Sequence, residues 1–74
     1  MKNIQDINSV FAERLFDLIH ERGWSIAEFS NQIKIPRTTI NSWLLKLKSP
    51  RIDSLYEIAD FFGVTIDYLV GRED

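Results

Sequence analysis

Arg37, Thr38, Asn41 and Ser42 stand close together in the chain, at spacings that put all four on one side of a helix. These residue types can read the edges of base pairs. A guanidinium grips guanine O6 and N7, an asparagine amide grips adenine N6 and N7, and a threonine methyl meets the thymine methyl. Leu45 ends the same face. Most polar helix faces are merely solvated, so this pattern alone does not separate base reading from plain exposure.

Charge supplies a second signal. The chain has 9 Lys+Arg against 11 Asp+Glu, a net charge of −2, which by itself argues against a polyanionic partner. Its distribution argues the other way. No acid lies between Glu28 and Asp53, whereas Lys34, Arg37, Lys46, Lys48 and Arg51 all do. A cationic stripe beside a polar helix face is an electrostatic footprint for phosphates. Lys34, Lys46, Lys48 and Arg51, with Thr39, are the candidate phosphate contacts.

The elements that must position these residues can be read from apolar spacing. Ile26, Phe29 and Ile33 follow Ser25; Ile40, Trp43, Leu44 and Leu47 follow Ile35-Pro36. Steps of three and four place each set on one helical stripe. Each helix is shorter than the roughly 12–15 residues needed for marginal stability alone, so each depends on packing. Two short helices joined by a tight break make a helix-turn-helix.

Around this pair the pattern predicts an all-α fold of five helices, over about 9–22, 25–32, 36–46, 52–62 and 65–70. Residues 1–8 read as an N-terminal arm, which Ile4 and Ile7 can dock or convert into more helix, and 72–74 as a frayed tail. Ser9 is the expected N-cap of the first helix and Gly23 its C′ residue. Ser25 and Glu28 have capping-box spacing, and Trp24 can staple onto Phe29. Gly63 and Gly71 end the fourth and fifth helices, and Thr65 caps the fifth. The predicted core is Phe11, Leu15, Leu18, Phe29, Ile33, Ile40, Trp43, Leu55, Ile58, Ala59 and Leu69. No segment alternates with period two.

Other chemistries find little support. The chain has 74 residues, one small domain, and no apolar run near the roughly 18–20 residues of a membrane span. There is no cysteine, which fits a reducing cytoplasm. His20 is the one histidine, and no Gly-rich phosphate loop is present. No enzyme activity, metal, cofactor or small-molecule ligand is expected.

From about Ser9 to Gly71 the order of residues resembles the phage-repressor and Cro-like helix-turn-helix family, also called the Xre family. Arg22-Gly23-Trp24-Ser25, Glu28-Phe29-Ser30, Ile35, Arg37-Thr38-Thr39-Ile40, Trp43 and Pro50 carry the resemblance. Leu55, Ile58-Ala59, Gly63-Val64 and Ile66-Asp67-Tyr68-Leu69 continue it. It implies a lambda-repressor-like domain whose third helix enters the major groove of double-stranded DNA. It also implies a repressor that binds a near-palindromic operator as a homodimer. Leu45, Leu47, Tyr68 and Val70 are the candidate dimer contacts. The chain ends directly after the fifth helix, so dimerisation is expected from this domain itself or on DNA.

Five departures from the family pattern stand out. Lys34 occupies the turn position usually held by glycine, and Pro36 the place of a Ser/Thr cap. Ile26 replaces a glutamine that commonly clasps a phosphate, and Leu44-Leu45-Lys46 replaces Glu-Asn-Gly. An arginine late in the first helix, which pairs with that glutamate in many relatives, is Ile19 here, so an apolar Ile19–Leu44 contact is expected instead. Loss of two phosphate ligands supports the alternative, a protein-binding module of antitoxin-like or anti-regulator type.

Overall fold

In the computed structural model helix α1 spans Ile4–Glu21, α2 Ile26–Ile33, α3 Arg37–Leu44, α4 Ile52–Phe62 and α5 Ile66–Val70. The structure describes residues 4–73, with side chains from residue 6 onward. The described residues are otherwise turns and loops, so the fold is all-α. Its radius of gyration, 11.3 Å, matches the roughly 11 Å of a compact chain this long.

The first helix begins earlier than expected. Ser9 is not its N-cap, and residues 4–8 form its first turns instead of an arm. Ile7 extends the stripe of Val10 and Phe11 and is half-buried with it, while Asp6 suits the positive end of the helix dipole. Burial thus continues the helix through Ser9, which is half-buried inside it. Residues 1–3 of the expected arm lie outside the described residues.

Helix ends follow one rule. Each of the five closes on a residue of positive φ: Gly23 (71°), Lys34 (66°), Lys46 (64°), Gly63 (69°) and Gly71 (86°). At Lys34 the closure is a single bond from its N–H to the Ser30 carbonyl, 2.9 Å. At the end of α3 the Lys46 N–H reaches the Trp43 carbonyl (3.0 Å) and the Leu47 N–H that of Ser42 (2.9 Å), a Schellman closure. That turn stops α3 at Leu44, two residues before the expected end.

Helix starts are more varied. Ser25 and Glu28 form the capping box, with reciprocal bonds of 3.1 and 2.9 Å. The Ser25 backbone N–H, donating to the Glu28 carboxylate, and then the nearby Ser25 hydroxyl hold the Glu28 pKa below its ordinary value. Thr65 Oγ1 accepts from the Tyr68 N–H at 2.9 Å. Pro36 gives α3 a fixed φ of −57° and no side-chain cap.

Phe11, Leu15, Leu18, Ile19, Phe29, Ile33, Ile40, Trp43, Ile58, Ala59, Phe62 and Leu69 form one core. Leu55 is half-buried against it, outside the fully buried set expected for it. Trp24, Phe29, Phe61 and Phe62 make an aromatic cluster with ring centroids 5.1 to 6.5 Å apart, and the Arg22 guanidinium lies over Trp24, Phe61 and Phe62. Ile19 is inside the core and Leu44 is half-buried against it, bordering a groove with Ala12 and Phe16 of α1.

The tail is not frayed through residue 73. Arg14 Nη1 donates to the Glu73 carbonyl (3.0 Å), Thr65 Oγ1 donates to the Glu73 carboxylate, and the Arg72 N–H reaches the Asp67 carbonyl (2.7 Å). Partners from two other helices outweigh the entropy that frays an end. Asp74 lies outside the described residues.

Candidate nucleic-acid interface

Helix α3 is held from one side. Ile40 is fully buried and Trp43 is 3% exposed, packed among α1 and α2. Ser30 in α2 locks the approach: its hydroxyl donates to the Ile35 carbonyl at 2.5 Å, bracing the turn just before α3. The helical period then turns the opposite stripe outward. Arg37, Thr38 and Asn41 are exposed there, and Ser42 is half-buried beside them.

Their hydrogen-bonding capacities differ. Among the described residues Arg37 and Asn41 have no side-chain partner, so the full guanidinium and amide face outward. The Ser42 hydroxyl donates to the Thr38 carbonyl at 2.9 Å, which leaves it only as an acceptor for any outside group.

The cationic candidates surround this helix unevenly. Lys34 stands in the turn before α3, and Lys46 directly after it, both exposed. Lys48 comes back to share a shallow concavity with Thr38, Thr39 and Ser42. Thr39 is half-buried. Arg51 lies farther along, its Nε 3.6 Å from an Asp53 carboxylate oxygen, with both groups exposed. Of the four cations, Arg51 alone has an ion-pair partner among the described residues.

The four dimer candidates fall on two elements. Leu45 and Leu47 are 67% and 72% exposed in the loop after α3. Tyr68 and Val70 in α5 are half-buried, and Tyr68 lies beneath the Arg14 guanidinium, 4.3 Å from its ring centre. Exposed Ile52 and Tyr56, four apart on α4, add further apolar surface. Being at the first turn, Ile52 has no preceding turn to cover it.

One anchoring contact was not visible in the pattern. Ser49 Oγ donates to Asn8 Oδ1 at 2.9 Å, tying the loop that carries Lys46 and Lys48 to the start of α1. Only the Ile4 and Ile7 spacing, with its hint of a longer first helix, pointed towards it.

A short α2, a braced turn and an α3 with one face outward define a helix-turn-helix. The chain belongs to the Xre-type helix-turn-helix family, whose profile, described as "Helix-turn-helix", matches residues 17–69. It is 30% identical over 61 residues to the HTH-type transcriptional regulator AnsR of Bacillus subtilis (strain 168). That match covers 82% of this chain and 53% of the relative, so the chain spans about half the relative's length. No solved structure matches significantly. Among the described residues, no helix is long and apolar enough to cross a membrane.

Proposed function

We propose that the chain is a sequence-specific, double-stranded-DNA-binding transcriptional regulator of the cytoplasm. On this reading it is a repressor that occupies a near-palindromic operator as a homodimer and excludes polymerase. The observation that carries this reading is the split face of α3: Ile40 and Trp43 buried, Arg37, Thr38 and Asn41 outward, with Lys34, Lys46 and Lys48 around them. The likeness to AnsR, an HTH-type transcriptional regulator, supports it.

In this mechanism Arg37, Thr38, Asn41 and Ser42 read base edges in the major groove. Lys34, Thr39, Lys46, Lys48 and Arg51 hold phosphates and fix register without carrying sequence information. One domain reads about one half-site, so two domains about 34 Å apart supply useful specificity. Leu45, Leu47, Tyr68 and Val70 are the proposed contacts between them. Selection of binding sites from random duplexes tests the reading. Enrichment of two related half-sites supports it, and recovery of no preferred sequence counts against it.

The exposed Leu45 and Leu47 favour a second reading, a module that docks on another protein. Salt separates the two. Binding through several phosphates weakens steeply as salt rises, whereas an apolar protein contact hardly changes.

A further inference from the structure

All five helices close on a left-handed residue, and the three glycines of the chain take three of those places. Lys34 and Lys46 take the other two, and these are the turns on either side of α3. An L side chain is strained there because Cβ crowds the following carbonyl oxygen, a clash glycine avoids. At Gly23 and Gly63 an added Cβ would meet nothing within 4 Å. Glycine is therefore favoured at those ends by backbone conformation and not by lack of room, and the same preference applies at positions 34 and 46.

Among the described residues no ion pair offsets the strain at the two lysines. Both side chains are exposed. The ion pairs among the described residues are Arg51–Asp53 and Arg72–Asp67, and neither includes them. Lys46 borders the same groove as Glu13 and Asp17 and still forms no ion pair with either. The backbone N–H groups of Lys34 and Lys46 are bonded to the Ser30 and Trp43 carbonyls. With its backbone N–H so bonded, each lysine has only its ammonium group to offer a ligand. Strained residues of this kind gather at ligand clamps.

We propose that Lys34 and Lys46 form a phosphate clamp bracketing α3, in which fold stability is given up for DNA affinity. This rests on the reading of α3 as a DNA-binding helix and adds to it an opposition: the residues that tighten binding are those that loosen the fold. Their lysine side chains make the clamp electrostatic and independent of sequence.

Two paired variants separate charge from strain. K34A/K46A removes both charges and keeps a Cβ at each turn; K34G/K46G removes both. Thermal melting is measured for each, together with binding to a random-sequence duplex of about 20 base pairs, two turns of DNA, over a salt series. K34G/K46G should melt several degrees above K34A/K46A, since about 4–8 °C accompanies each unit of stability in a domain this small. Both variants should bind more weakly, with the log–log salt slope flatter by about two units. Equal melting of the two variants, or a salt slope unchanged from the wild type, overturns the clamp. A wild type that binds no duplex at low salt removes the DNA reading itself, whereas a wild type that binds with the slope of both variants removes the clamp alone.

Discussion

The ring of Trp43 meets that of Phe11 edge to face, with centroids 5.9 Å apart and planes at 75°. This contact joins α3, which carries the outward polar face, to α1, the longest helix. Trp43→Ala should destabilise the fold by about 3–5 kcal/mol, as expected for a buried aromatic. Combining Phe11→Leu with Trp43→Leu should show a coupling of about 0.5–1.5 kcal/mol in a double-mutant cycle by urea unfolding. Additive losses would mean that the two rings contribute only by burial.

Leu44 borders a groove with Ala12, Phe16, Glu13 and Asp17. A carboxylate there would be half-buried and beside two acids. Leu44→Glu should therefore lower stability by about 1–3 kcal/mol, while Leu44→Met should change it little. Melting temperature checks this. An unchanged value for Leu44→Glu would place the side chain in solvent, free for a partner.

The capping box gives α2 a pH dependence. Glu28 titrates below its ordinary range because the Ser25 N–H donates to its carboxylate and the Ser25 hydroxyl lies nearby. Its contribution is fully present above the unfolded value, about pH 4.3, and is lost as pH falls through the lower folded value. Glu28→Gln keeps an acceptor without the titration, so its melting temperature should fall less steeply on acidification. Parallel acid profiles for the wild type and Glu28→Gln would show that the box does not couple to pH.

Much of this was legible in the sequence because the signals were local. Ser25 and Glu28 announce a helix start by their spacing alone, and Ile40 and Trp43 announce the buried side of α3. The start of α1 was misread because Ser9 is a good cap by type, whereas burial of Ile7 and the distant Asn8–Ser49 bond decide the matter. The same holds for Glu73, which is held by Arg14 and Thr65 from elsewhere in the chain. Lys46 hid the end of α3: it stands where the family pattern has glycine, but a lysine does not by its own type announce a positive φ. Within the candidate interface, the outward set was readable from the helical period. The internal bond of Ser42 and the Asp53 partner of Arg51 were not.

Lys48 shares its concavity with Thr38, Thr39 and Ser42, close to the proposed base-reading face. Lys48→Ala should nevertheless weaken all duplexes alike and flatten the salt slope by about one unit, as for a single phosphate contact. A loss confined to one sequence would make Lys48 a base reader instead.

Arg37 bears the central claim, that α3 reads base pairs. The decisive measurement is the affinity of the wild type and Arg37→Ala for the selected duplex and for each of its single-base-pair variants, at one fixed salt concentration. Base reading by Arg37 predicts a loss of about 1–3 kcal/mol on the selected duplex and a collapse of discrimination at one base pair, with preferences elsewhere intact. If Arg37→Ala weakens every duplex by the same factor, Arg37 holds a phosphate, and the claim that it reads a base is wrong.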